Sequence, residues 1–187
     1  MEEITIIARG GQGAVTASQI LAKAAFRDGF NAQTFPKFGA ERRGAPVMAY
    51  IRIDQTPITT RSKVYTPDVV IVMDASLFKV MSPLQGLKDG GLVILNHPDD
   101  HKPPGPQLVE AAGQAYIIDA TRLAHKLYGR TTIPITNVII TGAYSAANKT
   151  VSLPAIKHVL PDFFPSEALD KNIMAAELGF EGLRRIK

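Results

Sequence analysis

Three glycines within four positions, Gly10, Gly11 and Gly13, follow closely on an apolar run of strand-forming residues at positions 4–8. The residues after Gly13 are rich in Ala, Leu and Ile, which predicts a helix. A strand, a glycine turn and a helix form an anion site, because unpaired N–H groups and the helix dipole converge at the helix N-terminus. Glycine has no Cβ, so the backbone can turn tightly and approach a ligand. We therefore predict that Gly10, Gly11, Gln12 and Gly13 bind phosphate or carboxylate.

This glycine turn matches a dinucleotide fingerprint only in part. Gly11 and Gly13 supply its first two glycines, but Thr16 occupies the position of the third small residue. The acid that would bind a ribose about 20 residues further on is missing. No glycine-rich loop ends in Gly-Lys-Ser or Gly-Lys-Thr, which argues against a nucleoside triphosphate site. A tight turn without a ligand is the alternative interpretation.

A second candidate for anion binding is the pair Arg42-Arg43, which lies at the centre of a loop bounded by prolines at positions 36 and 46. Two adjacent guanidiniums suit phosphate or carboxylate, because arginine offers donors in a fixed bidentate geometry. The alternative is a salt bridge to Glu41 or to a partner chain. The sequence leaves the ligand role and the partner role open.

Acidic residues and histidines predict no catalytic group and no metal site. Asp74 and Asp119 each follow an apolar run and precede a predicted helix, where we favour an N-cap role. Neither is accompanied by a histidine or a second carboxylate. Residues 97–101 contain two histidines and two aspartates, but the prolines within and after this segment predict a solvated loop rather than a metal site.

Composition limits the class of protein. The chain has 187 residues, 45% of them hydrophobic and 20% charged, with a net charge of +4. These values predict an ordinary globular domain, and the scattered basic residues give no reason to expect nucleic-acid binding. The chain has no cysteine, so it cannot ligate an iron–sulfur cluster through thiolates. The apolar runs are too short to span a membrane, and we expect a cytoplasmic protein.

The order of apolar and helical segments predicts an α/β fold with a mainly parallel sheet flanked by helices. Residues 68–74 have the continuous apolar character of a strand buried on both faces. A strand at 47–53 should carry Arg52 on its polar side, and Pro36 should interrupt the preceding strand. The last third of the chain should be helical, with a helix at 137–148 and two more whose N-caps are Ser152 and Ser166.

Three segments of the sequence together match a known family. They are Arg-Gly-Gly-Gln-Gly-Ala-Val-Thr-Ala at 9–17, Phe-Pro-Lys-Phe-Gly-Ala-Glu-Arg-Arg-Gly-Ala-Pro at 35–46, and Asp-Val-Val-Ile-Val-Met-Asp at 68–74. Residues 137–145 and 172–180 extend the match to nearly the whole chain. The sequence resembles the gamma subunit of 2-oxoacid:ferredoxin oxidoreductases. The form Glu-Arg-Arg-Gly-Ala-Pro resembles the pyruvate branch, with branched-chain 2-oxoacids next.

The resemblance implies one Rossmann-like domain over residues 1–187, in a complex with alpha, beta and delta subunits. That complex converts pyruvate, coenzyme A and oxidised ferredoxin to acetyl-CoA, carbon dioxide and reduced ferredoxin. In the family, thiamine diphosphate with magnesium and 4Fe–4S clusters carry the chemistry. This chain has neither cysteines nor a Gly-Asp-Gly motif, so we expect it to bind no redox cofactor and to be inactive alone. Its expected tasks are assembly and the holding of coenzyme A.

Two alternatives of different class stay open beside the resemblance. One is a stand-alone Rossmann-like oxidoreductase that binds a nicotinamide nucleotide, against which the missing ribose acid argues. The other is a purely structural subunit that contacts no ligand. In isolation, we expect the chain to form a homodimer, because surface intended for alpha and beta subunits would otherwise expose apolar area.

Overall fold

The computed structural model describes residues 1–37, 44–98 and 112–187. The strands within these residues form one sheet in the order β2-β3-β1-β4-β5-β6-β7. Their bounds are β1 (Glu2–Arg9), β2 (Asn31–Lys37), β3 (Pro46–Asp54), β4 (Val69–Val72), β5 (Leu92–Asn96), β6 (Gln114–Ile118) and β7 (Arg184–Arg185).

The last third of the chain is mainly helical, as the sequence predicted. The α-helices of the described residues are α1 (Ala14–Arg27), α2 (Ala120–Tyr128), α3 (Asn137–Asn148), α4 (Leu153–Val159) and α5 (Ser166–Glu181). Short 3₁₀ helices cover Ala75–Lys79 and Leu160–Asp162. In the described ranges, no helix is both long enough and apolar enough to cross a membrane.

The centre of the sheet is parallel and its two edges are antiparallel. Strands β1, β4, β5 and β6 run in the same direction. Strand β3 pairs antiparallel with β1, β2 pairs antiparallel with β3, and β7 pairs antiparallel with β6. All four residues of β4 are buried, as expected for a parallel strand covered on both faces. The α/β class predicted from the sequence is confirmed.

The two faces of the sheet are covered differently. On one face, alternate residues of β1 (Ile4, Ile6 and Ala8) pack in a core with buried residues of all five α-helices. On the other face, which we call the second face, Ile7 and the alternate residues of β4 pack against Leu77 and partly buried residues of segment 75–87. Among the described residues, a 3₁₀ helix and irregular chain, rather than α-helices, therefore cover the second face.

Arg52 was expected on a polar side of β3, but that side of the strand is buried. The Arg52 side chain is 1% exposed. Its Nε donates to Oε1 of Glu3 at 2.9 Å, and its Nη1 donates to the carbonyl oxygen of Thr60 at 3.3 Å. The guanidinium carbon lies 5.3 Å from the ring centroid of Phe35. The alternation of β3 was predicted correctly, but the chain after β3 bonds back to this face and excludes water.

Two local predictions are wrong for simple reasons. Pro36 does not interrupt β2, which continues to Lys37 with Pro36 opposite Ala49. Because β2 is an edge strand, a missing N–H can face away from the sheet. Ser166 does not cap α5, since the helix begins at Ser166 and Pro165 occupies the N-cap. Ser152 does cap α4, and its Oγ accepts the N–H of Ala155 at 3.2 Å.

Helices α3 and α5 cross with their backbones in close approach. A Cβ placed on Gly142 would lie 1.9 Å from the carbonyl oxygen of Ala176, and one on Gly179 would lie 1.9 Å from the carbonyl oxygen of Ile139. These distances leave no room for any side chain. Gly142 and Gly179 therefore permit the helix crossing that buries the last helix against the core.

Candidate anion-binding site

The glycine turn lies at the carboxyl end of β1 and leads directly into α1, as predicted. Gly11 has φ of 99° and Gly13 has φ of 85°, backbone conformations that favour glycine. Gly13 is the N-cap of α1, so no side chain caps this helix, and its first turn contains no acidic residue. The positive end of the α1 dipole is therefore not neutralised by its own sequence.

A second helix begins beside this turn. A Cβ on Gly13 would lie 2.8 Å from Nδ2 of Asn137, the first residue of α3, and one on Gly11 would lie 3.4 Å from the side chain of Ile133. Thr136, which precedes α3, is fully buried, and its Oγ1 has no hydrogen-bond partner among the described residues. The N-termini of α1 and α3 thus meet at one edge of the sheet.

Gln12 lies at the candidate site, and its side chain supports the glycine turn. It is 4% exposed, and its Oε1 accepts the backbone N–H of Arg9 at 2.8 Å. Its Nε2 donates to Oδ2 of Asp74 at 3.3 Å. Both ends of the amide are engaged, so Gln12 fixes the turn relative to the end of β4.

Arg9 is a residue of the candidate site that the sequence analysis did not single out. Its Nη1 donates to the carbonyl oxygen of Gly44 at 2.9 Å, and its Nε and Nη2 donate to Oγ of Ser76 at 2.9 and 2.7 Å. Its Nε also lies 3.4 Å from Oδ2 of Asp74. Arg9 therefore connects the end of β1 to Gly44 and to residues 74–76. Its position directly before the first glycine, at a predicted carboxyl edge, was the signal that could have identified it.

The two aspartates predicted as caps are confirmed as caps. Oδ1 of Asp74 accepts the N–H of Ser76 at 2.9 Å, and Oδ1 of Asp119 accepts the N–H of Arg122 at 2.9 Å. Asp74 has the further contact with Arg9, which offsets its negative charge at the site. Without that cation, a carboxylate at this edge would repel any anion bound to the glycine turn.

The carboxyl ends of β1, β4 and β5 border a cleft of about 260 Å³. The chain leaves β1 for the helical face and leaves β4 for the second face. Such a divergence between neighbouring parallel strands is where open α/β sheets bind ligands. The cleft is lined by Gln12, Met73, Asp74, Ala75, Ser76, Asn96, Pro98, Thr121 and Pro134.

The residues that directly follow Arg42 and Arg43 in the sequence, Gly44 and Ala45, are hydrogen-bonded to the glycine turn. Gly44 donates its N–H to the carbonyl oxygen of Gly10 at 3.3 Å, and Gly10 donates to the carbonyl oxygen of Ala45 at 2.8 Å. Arg42 and Arg43 themselves lie outside the described residues.

The histidine and aspartate segment at 97–101 falls mostly outside the described ranges, which end at Pro98 before resuming at residue 112. His97 is 7% exposed, and its Nδ1 lies 2.9 Å from the carbonyl oxygen of Pro98. In the part of the chain that is described, no three His, Cys, Asp or Glu side chains form a group that could hold a metal ion.

The chain is similar in sequence to known proteins along nearly its whole length. A family model described as pyruvate ferredoxin/flavodoxin oxidoreductase matches residues 3–182. The pyruvate synthase subunit PorC of Methanothermobacter thermautotrophicus is 43% identical over 187 residues, which cover 100% of this chain and 98% of that protein. The pyruvate/ketoisovalerate oxidoreductases common subunit gamma of Thermococcus kodakarensis is 44% identical over 180 residues, 96% of each chain.

A crystal structure agrees with these sequence matches. Pyruvate oxidoreductase subunit PORC from Thermotoga maritima superposes with a TM-score of 0.80 at 34% identity, covering 100% of this chain and 98% of that one. The chain therefore belongs to the pyruvate ferredoxin/flavodoxin oxidoreductase family. The relatives that it matches over nearly their full length are named PorC or subunit gamma. The resemblance to the gamma subunit stated from the sequence is therefore confirmed.

Proposed function

We propose that this chain is the gamma subunit of a cytoplasmic pyruvate:ferredoxin oxidoreductase, in which it holds coenzyme A and helps to assemble the complex. Its partners are alpha, beta and delta subunits, and ferredoxin accepts the electrons of the complex. The complex converts pyruvate and coenzyme A to acetyl-CoA and carbon dioxide. The observation that carries this proposal is the match to pyruvate synthase subunits over the full chain.

In this proposal the chain contributes no redox group of its own. It has no cysteine for an iron–sulfur cluster and no Gly-Asp-Gly motif for thiamine diphosphate and magnesium. The other subunits supply both, and the gamma subunit acts by binding and orientation. We therefore expect the isolated chain to be colourless and unable to reduce a dye with pyruvate.

Coenzyme A carries several phosphate charges, and the carboxyl edge of this sheet offers matching positive potential. The N-terminus of α1 has no side-chain cap, so its first N–H groups are available to an anion. Arg43 is bonded to Gly44, which pairs with Gly10 in the turn. Arg43 is therefore adjacent in sequence to a residue that contacts the turn, which supports its place in the binding set. Gly10, Gly11, Gly13, Arg42 and Arg43 form the proposed binding set.

Arg9 and Gln12 have positioning roles in this proposal. Their side-chain donors are directed to Gly44, Ser76 and Asp74 within the chain. They hold the glycine turn in place against Gly44 and residues 74–76. The backbone N–H groups of the turn then face the ligand.

The test is steady-state titration of coenzyme A and of pyruvate with the assembled complex. We expect Arg43→Ala to raise the KM for coenzyme A about ten- to a hundredfold, because a lost hydrogen bond to a charged group costs about 1.5–3 kcal/mol. The KM for pyruvate should stay nearly unchanged. Arg27→Ala is the matched control, since Arg27 is exposed at the opposite end of α1.

The outcomes separate the three candidate functions. Equal increases in both KM values would assign Arg43 to assembly rather than to coenzyme A. No increase for coenzyme A would favour the purely structural subunit. Binding of NAD to the isolated chain, measured by calorimetry, would instead favour the stand-alone oxidoreductase.

A further inference from the structure

A cavity of about 410 Å³ opens on the second face, between β1, β3 and β4 and the irregular segments 63–67 and 81–86. Ile7, Met48 and Val70 form an apolar floor, and Thr5 and Tyr50 supply hydroxyl groups. None of its lining residues lines the cleft at the carboxyl edge. The cavity is therefore a separate feature that the proposed binding of coenzyme A does not use.

The walls of this cavity are firmly packed. A Cβ on Gly86 would lie 2.3 Å from the carbonyl oxygen of Tyr65, so the two irregular segments are in backbone contact. The Thr60 carbonyl oxygen accepts a hydrogen bond from the buried Arg52, which holds the chain before Tyr65 against the sheet. The cavity is thus supported by specific contacts rather than left by loose packing.

Two large side chains, one on a cavity-forming segment and one next to such a segment, are exposed. Tyr65 lines the cavity and is 65% exposed, while Val80, next to the lining residue Met81, is 62% exposed. The Nζ of Lys63 lies 4.4 Å from the ring centroid of Tyr65. Clustered apolar exposure beside a cavity marks an interaction surface, and a cation beside an aromatic ring is a frequent element of interface centres.

In the described segments that cover the second face, the charge is mainly positive. Segments 55–67 and 75–88, which cover the second face, contain Arg61, Lys63, Lys79 and Lys88 but no Asp or Glu. Lys88 pairs with Asp68 at 2.7 Å. Arg61, Lys63 and Lys79 are exposed. A partner that fits this surface must bring negative charge to the rim.

We propose that this cavity is the docking site for an acidic segment of another subunit of the same complex, with one aromatic or aliphatic side chain inserted between Tyr65 and Met81. Carboxylates beside that side chain pair with Lys63 and its basic neighbours. The proposal rests on the proposed function, which supplies the partner subunits. A second copy of this chain fits less well, because a twofold contact would bring the same basic rim against itself.

The experiment uses a tagged gamma subunit co-expressed with the other subunits and measures the dissociation constant of the complex at low and high salt. We expect Tyr65→Ser and Lys63→Glu each to weaken association at least about tenfold, as for residues at an interface centre. The effect of Lys63→Glu should shrink at high salt, because exposed charges are screened. The effect of Tyr65→Ser should persist.

Two exposed residues away from the second face provide matched controls. Phe26 on α1 is 74% exposed, so Phe26→Ser repeats the loss of an exposed aromatic ring. Lys171 on α5 is exposed, so Lys171→Glu repeats the charge reversal. Both controls should assemble like the unmodified chain, and circular dichroism should show all four variants folded.

Each outcome bears on one proposal. An unmodified chain that binds no other subunit would overturn the proposed function itself. Normal assembly of Tyr65→Ser and Lys63→Glu would overturn only the docking proposal. The isolated chain could instead form a concentration-dependent homodimer that Tyr65→Ser abolishes. That result would assign the cavity to a second copy of the chain and would also overturn the docking proposal.

Discussion

The contact between Gly13 and Asn137 predicts how strongly a side chain at position 13 would destabilise the chain. In Gly13→Ala, the new Cβ meets two unfavourable conditions. The backbone φ of 85° costs a residue with a side chain about 1–2 kcal/mol. The Cβ would also lie 2.8 Å from Nδ2 and 3.0 Å from Cβ of Asn137, and overpacking of this kind costs about 1–3 kcal/mol. We expect Gly13→Ala to reduce the free energy of unfolding by about 2–5 kcal/mol.

Gly29 provides the matched control because it lies just after the same helix. Its φ is 90°, and a Cβ there would meet nothing within 4 Å. Gly29→Ala should therefore show only the backbone cost of about 1–2 kcal/mol. The difference between the two variants isolates the contact with Asn137, and it can be measured by urea unfolding of the isolated chain.

A double-mutant cycle checks the assignment to this pair. Asn137→Ala removes Nδ2 but keeps the Cβ, so it should relieve part of the additional cost of Gly13→Ala, because residues in contact show non-additive effects. The reasoning would be refuted if Gly13→Ala and Gly29→Ala destabilised the chain equally. It would also be refuted if the effects of Gly13→Ala and Asn137→Ala were simply additive.

Two further predictions concern buried charges. Arg52→Ala should destabilise the chain by about 3–5 kcal/mol in urea unfolding, because it leaves the Glu3 carboxylate without its partner; the double variant Arg52→Ala with Glu3→Gln should recover part of this loss, and no recovery would contradict the explanation. Burial raises the pKa of Glu2 above 4.5, so the folded state holds the proton more tightly than the unfolded state. Stability should therefore fall as pH rises from about 4.5 through the folded pKa. Glu2→Gln should flatten this part of the pH profile, and an unchanged slope would assign it to other groups.

Local physics made several elements predictable from the sequence. An apolar run that stops at glycines predicts a strand followed by a turn, and the structure has β1 followed by Gly10–Gly13. Asp74 and Asp119 were predicted as caps because a short carboxylate before a helix can accept its first N–H groups. Both predictions depend on neighbours in sequence, and both are confirmed.

The antiparallel direction of β3 was within reach of the same reasoning. Parallel neighbours need a crossover of a dozen or more residues, whereas β2 ends at Lys37 and β3 begins at Pro46. So short a connection favours an antiparallel pair. The direction of β3 can therefore be predicted from the length of the segment that joins it to β2.

Other features depend on tertiary packing that no local pattern shows. Arg52 is buried because a segment without periodicity bonds back to the second face, and such a segment gives no sequence signal. Gly142 and Gly179 are 37 residues apart in the sequence, yet each lies against the other helix. Arg9 likewise acquires its role from Gly44 and Ser76, which are distant in sequence and close only in the folded chain.

The alternation of β1 connects the two proposed sites. Thr5 and Ile7 line the cavity on the second face, and Arg9 is the next residue of the same alternation. At about 3.3 Å per residue, Ile7 and Arg9 are about 7 Å apart along the strand. Arg9 reaches Ser76 and Gly44 at the carboxyl edge, so one strand carries both the floor of the docking cavity and the brace of the anion site. A subunit docked on the second face would therefore lie beside the edge proposed to hold coenzyme A, which gives a physical reason for the gamma subunit to serve assembly and substrate binding together.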